Sequence, residues 1–156
     1  MANDDFMRLA REEALRGIRN GHGGPFGAVL VRNGSVVSSA HNEVLRQKDP
    51  TAHAEILAIR RAAGVLDRPH LDDCVLYTTC EPCPMCLGAI AWARIPRLYF
   101  GCTRNDAEEI GFSDRQIYAL IRDEPSTILL ERISLERSSC LQLFHEWRNL
   151  ADHILY

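Results

Sequence analysis

Residues 74–101 constrain the fold more than any other stretch of this chain. CVLYTT (74–79) is an apolar run of strand length, and RLYFG (97–101) is a second one. Between them, Pro84 to Ala93 reads as a helix, with a proline suited to its first turn. A strand–helix–strand unit of this length implies a crossover that joins parallel strands and lays its helix on one face of the sheet. The loop that enters the helix reads CEPCPMC (80–86), with three thiols at successive spacings of three and prolines between them.

The remaining segments fit around such a unit. Phe6, Leu9, Ala10, Ala14 and Ile18 recur at helical spacing, so the first ~20 residues form one amphipathic helix. It ends at Asn20-Gly21, after Arg16 and Arg19 in turns where cations suit the helix dipole. GHGGPFG then leads into two β-rich runs flanking Asn33-Gly34, a strong hairpin signal. After the loop RQKDPTAH comes a helix from about Ala54 to Ala63, closed by Gly64. Downstream, a helix is expected near Asp114–Arg122, a strand near Thr127–Arg132 and a last helix near Ser139–Leu150. No repeat or linker divides the chain, so residues 1–156 are expected to form one α/β domain, a mixed sheet carrying helices.

Composition narrows the setting. Hydrophobic residues make up 46% and charged residues 25%, ordinary values for a soluble globular protein. No apolar run approaches the ~18 residues of a membrane helix, so no membrane partner is expected. The acidic start MANDDF lacks the basic flank and apolar core of a signal peptide, and the chain is read as cytoplasmic. In that compartment six cysteines are thiols or metal ligands rather than a disulfide framework. The net charge of -3 argues against nucleic acid as the main partner.

The cysteines are best understood geometrically. Pro84 opens a helix, which sets Cys83 at its start and Cys86 in its first turn, on one face. Both sulfurs meet the positive end of the dipole, which favours thiolates. Such a pair is half of a tetrahedral zinc site. Cys80 ends a strand, and an extended chain would carry it ~10 Å from Cys83, too far for a shared ion. A tight turn at Glu81-Pro82 would reverse that and leave a closed Cys3His cage. A redox dithiol is the third alternative. Two histidines compete for the remaining place, in His41-Asn42-Glu43 and His53-Ala54-Glu55. His41 lies in a strand, whereas His53 begins a helix as the cysteines do. Two helix starts at the carboxyl ends of strands can converge on one ion. The favoured set is therefore His53, Cys83 and Cys86, three ligands and one open position, the mark of a catalytic zinc site. Glu55, two residues from a ligand, is then placed to move protons.

The pattern H-x-E…P-C-x-x-C is that of zinc nucleobase deaminases. The surrounding segments GGPFGAVLV, NEV, DPTAHAEILAIR, LDDCVLYTTCEPCPMCLGAI, GFSD and FHEWRN, with the terminal tyrosine, resemble the bacterial guanine deaminases over nearly the whole chain. The resemblance implies a three-layer cytidine deaminase-like fold, helices on both faces of a mixed sheet, and hydrolysis of guanine to xanthine and ammonia. It implies one Zn2+ per subunit on His53, Cys83 and Cys86, with Glu55 as proton shuttle. Phe26 would stack on the purine, Asn42 would hydrogen-bond it through its amide, and the Ala54 N–H would bind its carbonyl. Asp114 would contact the amino group being lost and assist its departure; by itself it would pass as a helix N-cap. Where the family commonly shows two aspartates, this chain has Ser113 before Asp114. The resemblance also implies a homodimer in which the C-terminal segment, about residues 139–156, crosses to the partner and Tyr156 helps close its pocket.

The rival readings are a guanosine deaminase, a cytosine or triazine deaminase, a transfer-RNA adenosine deaminase and a non-catalytic zinc-binding module. The acidic balance and Pro84 oppose the RNA enzyme. The non-catalytic module requires that Glu55 be dispensable while zinc is not.

Overall fold

The computed structural model describes residues 3–156; residues 1 and 2 of the expected first helix lie outside them. In chain order the elements are α1 (Asn3–Arg19), β1 (Gly27–Arg32), β2 (Ser35–His41), α2 (Val44–Gln47), α3 (Ala54–Leu66) and β3 (Cys74–Cys80), then α4 (Pro84–Trp92), β4 (Arg97–Cys102), α5 (Arg104–Glu109), α6 (Arg115–Ile121) and α7 (Arg137–Asn149). The sheet has the order β2-β1-β3-β4. β1 runs antiparallel to both β2 and β3, whereas β3 and β4 are parallel, joined by the crossover through α4.

Two apolar layers make the sheet a three-layer structure. On one face Phe6 and Ala10 of α1 pack on Val29, Val31 and Tyr77. On the other, Leu57, Ala58 and Ala62 of α3 and Ile90 of α4 pack on Ala28, Leu30, Ala40 and Leu76. Alternation along β1 sends Val29 and Val31 to one layer and Ala28 and Leu30 to the other, which is why that strand is apolar throughout. Gly27 marks where α1 comes closest. A β-carbon there would stand 2.0 Å from the Ala10 carbonyl oxygen, so no larger residue fits without displacing the helix.

Three sequence expectations are corrected. Gly64 does not close α3, which runs on to Leu66 and ends at Asp67. Asp67 takes the left-handed conformation that such a cap requires and that aspartate tolerates. Thr127–Arg132 is not a strand. Its Leu129 is 98% exposed, and the segment pairs with neither open edge of the sheet, β2 or β4, so its β-propensity has no ladder to join. The short helices α2 and α5 were not anticipated, and α5 proves important for the site.

A buried polar group ties α1 to the end of β2. Glu13 accepts hydrogen bonds from Ser39 Oγ at 2.9 Å and from His41 Nδ1 at 3.0 Å, and His41 Nε2 lies 2.8 Å from Nδ1 of His22. Burial opposes ionisation of Glu13, but the bonds from His41 and Ser39 and the charge of Arg16 outweigh it and hold the carboxyl below its ordinary value. A carboxyl depressed in the folded state contributes stability above its unfolded pKa and loses it as pH falls through the folded one. Glu13→Ala is therefore expected to cost about 1–3 kcal/mol in urea unfolding at neutral pH. The gap from the parent should narrow as pH drops below the usual glutamate range; a gap independent of pH would refute the ionic role.

Candidate active site

α3 and α4 start side by side, and each is preceded by a residue with a metal-binding side chain. His53 is the N-cap of α3 and Cys83 the N-cap of α4, both with extended backbone, and neither side chain caps its helix. Both side chains are therefore free to meet. Nδ1 of His53 lies 3.6 Å from the sulfurs of both Cys83 and Cys86. The three ligand atoms all fall within 4.8 Å of one another. Zinc bonds of ~2.0–2.1 Å to nitrogen and ~2.3 Å to sulfur, at tetrahedral angles, require N···S distances of roughly 3.5 Å. The donor set thus fits a zinc ion as it stands. Among the described residues it is the one such cluster.

Charge supports the same reading. The Cys86 S–H donates to Cys83, and His53 adds a second hydrogen bond, which brings the Cys83 thiol down to about 4 while Cys86 is pushed up. The hydrogen bond to Cys83 also raises His53. A cation in the cluster would replace the shared protons. Cys80 stands apart: its sulfur points to the Thr103 carbonyl at 3.6 Å, and burial pushes it up to about 11. A closed cage of three cysteines is therefore not formed, and His41, spent on Glu13, is not a ligand.

Beside the cluster opens a cleft with about 510 Å³ of free space, its mouth included. Phe26, Asn42, His53, Glu55, Cys83 and Asp114 all line it, so the cleft gathers most of the residues expected from sequence. Glu55, in the first turn of α3, is 6% exposed. Burial, with the Cys83 charge adding to it, raises its carboxyl above the ordinary range. Phe26 stands edge-on to Phe112, ring centres 5.1 Å apart at 85°. Asn42 follows the last residue of β2, and its Oδ1 accepts from the N–H groups of Gly24 and Val44 at 3.3 and 3.2 Å. With its oxygen so engaged, the amide offers its NH2 to the cleft as a donor. Gly23 makes this possible, since a β-carbon there would stand 2.0 Å from Asn42 Oδ1. Ala54 is buried at the first position of α3, where the backbone N–H has no partner within the helix.

Asp114 precedes α6 as an N-cap but makes no capping bond; its carboxylate pairs instead with Arg104. Tyr156 is 71% exposed and does not line the cleft of its own chain. Arg104, Glu81 and Phe112 line the cleft without having been expected. One signal could have found Arg104: Thr103 and Asp106 form a capping box, and T-x-x-D after a strand announces a helix whose first residue is Arg104.

Comparison with known proteins follows the same outline. Residues 1–102 match the model of the cytidine and deoxycytidylate deaminase zinc-binding region. Guanine deaminase of Bacillus subtilis (strain 168) is 46% identical over 155 residues, 97% of each chain. The crystal structure of guanine deaminase from Bacillus subtilis superposes with a TM-score of 0.91 at 45% identity, covering 100% of this chain and 99% of that one. A tRNA-specific adenosine deaminase of Aquifex aeolicus (strain VF5) is 44% identical over 100 residues, 64% of this chain and 66% of its own.

Metal analysis tests the ligand set directly. Cys83→Ser and His53→Ala are expected to lose tightly held zinc, whereas Cys80→Ser should keep about one ion per chain, as a site with three protein ligands requires. Retention in Cys83→Ser with loss in Cys80→Ser would assign the ligands wrongly.

Proposed function

The chain belongs to the cytidine and deoxycytidylate deaminase zinc-binding family, and from that premise we propose that it hydrolyses guanine to xanthine and ammonia. The observation that carries the reading is Glu55, a buried carboxyl that lines the cleft beside the three-ligand cluster without belonging to it. The choice of guanine rests on likeness to guanine deaminase over 155 residues, against 100 for the tRNA enzyme.

In this reading His53, Cys83 and Cys86 hold the zinc. When bound, the metal supplies a Lewis acid that makes water acidic near neutral pH. Glu55 takes a proton from the attacking water and passes it to a ring nitrogen of the purine, then assists protonation of the departing amine. The new C–O bond forms at the carbon that bears the amino group, the C–N bond breaks, and ammonia leaves. Phe26 packs against the purine face, the Asn42 NH2 donates to a ring acceptor, and the Ala54 N–H binds the carbonyl. Asp114 accepts from the amino group that departs.

Two features favour a homodimer with exchanged C-terminal segments. No extended packing joins α7 to the sheet layers among the described residues, and Leu143 and Phe144 on it are 63% and 71% exposed. Leu135, ahead of α7, is 80% exposed. Apolar surface of this extent calls for a partner, and a second copy would bring Tyr156 to a cleft that its own chain leaves open. A site built on two thiolates also suits the reducing cytoplasm.

Ammonia release is the direct assay, with guanine, guanosine, adenine, cytosine and an adenosine-bearing RNA as substrates. Guanine should be turned over and the others scarcely. Glu55→Gln should lower kcat by roughly 10²–10⁴-fold while zinc stays bound. Preference for guanosine or RNA would overturn the substrate, and full activity in Glu55→Gln would overturn the mechanism. For the exchanged dimer, refolding Glu55→Gln together with Tyr156→Ala should recover turnover that neither parent shows, because one site of each mixed dimer is then intact. No recovery in verified mixed dimers would place Tyr156 at its own chain's site.

A further inference from the structure

We infer that Arg104 is a positioning residue for the reaction, and that it acts by fixing the carboxylate of Asp114 in the cleft; the inference rests on the reading of Asp114 given above. Asp114 needs such a device. It sits at the N-cap of α6 yet forms no capping bond, so its own helix does not orient it. Among the described residues the hydrogen-bond partner of its carboxylate is Arg104, whose Nε lies 3.1 and 3.2 Å from the two oxygens and whose Nη2 lies 3.0 Å from Oδ1.

Arg104 is itself held from several sides. It is the first residue of α5, whose start is fixed by the Thr103–Asp106 capping box. Its backbone N–H donates to Glu81 Oε2 at 3.0 Å, and Glu81 lies between Cys80 and the ligand Cys83. Its guanidinium lies over the ring of Tyr118, 3.8 Å from the centre. The path from the metal loop to Asp114 is thus continuous: Glu81, the Arg104 backbone, the guanidinium fork, the carboxylate. A planar fork with this hold sets the direction of a carboxylate as a lysine cannot. It also leaves lone pairs of Asp114 free to accept from the amino group. Arg104 and Asp114 both line the cleft, so a shift in one moves a surface that the substrate meets.

A plain surface ion pair would behave differently, contributing little to stability and nothing to turnover. Four variants separate the two: Arg104→Ala, Arg104→Lys, Asp114→Ala and the double Arg104→Ala/Asp114→Ala, each checked for zinc content and thermal midpoint. Arg104→Ala is expected to lower kcat on guanine by roughly 10- to 100-fold, with KM changed far less, because a misplaced group acts on the transition state. Arg104→Lys should restore only part of it. In the Asp114→Ala background, removing Arg104 should add almost nothing, as a residue that works through another must. A substrate with fluoride in place of the amino group at the same carbon, hydrolysed to xanthine and hydrogen fluoride, needs less help in departure, and the Arg104→Ala deficit should shrink with it. Losses that multiply in the double variant, or a fall in thermal midpoint with kcat intact, would overturn the inference. If Asp114→Ala turns over guanine normally, the role of Asp114 fails and the inference with it. If Asp114→Ala is inactive and Arg104→Ala is not, the inference alone fails.

Discussion

Everything functional in this molecule depends on two helices beginning at the same edge of one sheet. α4 begins there because β3 and β4 are parallel and the crossover must return along the face of the sheet. α3 shares that face because Leu57, Ala58 and Ala62 bury against β1, β2 and β3. Each helix start has backbone donors with no partner and the positive end of a dipole. Placing His53 and Cys83 at those positions, with side chains that do not cap, converts two local electrostatic features into a site for anionic ligands and a cation.

The same packing explains the chemistry of Glu55. A carboxyl at an exposed helix start would be ionised and solvated. Here it is buried beside Cys83, Cys86 and His53, and burial raises it toward the neutral form. On the opposite side of the sheet a second buried carboxyl, Glu13, is held ionised because His41 and Ser39 donate to it. Two glutamates of similar exposure are thus driven in opposite directions by the partners that surround them.

The C-terminal third follows another logic. α5 and α6 carry Arg104 and Asp114 to the cleft, so the pocket is completed by residues beyond the crossover. Past residue 122 the apolar side chains are largely exposed, with Leu129, Leu135 and Leu155 the clearest cases. In the proposed exchanged dimer, a second chain would bury them.

Local pattern was enough for most of the elements and for the pairs of site residues that lie within one helical turn. Cys83 with Cys86, and His53 with Glu55, are related by spacings within one helical turn, and such relations are written in the sequence because a turn of helix has one geometry. The hairpin at Asn33-Gly34 and the parallel crossover were legible for the same reason. Convergence was not local: His53 and Cys83 are thirty residues apart, and only the strand order brings them within 3.6 Å. Nor could spacing reveal that Asp114 would leave its helix for Arg104, since that choice depends on where the fold sets Arg104, ten residues earlier. Thr127–Arg132 shows the converse, because a strand needs an edge to pair with and β-propensity alone does not supply one. Which residues could do chemistry is written in the order of the amino acids; which of them meet is set by the fold, because meeting requires surfaces to be buried together and burial is a property of the whole molecule.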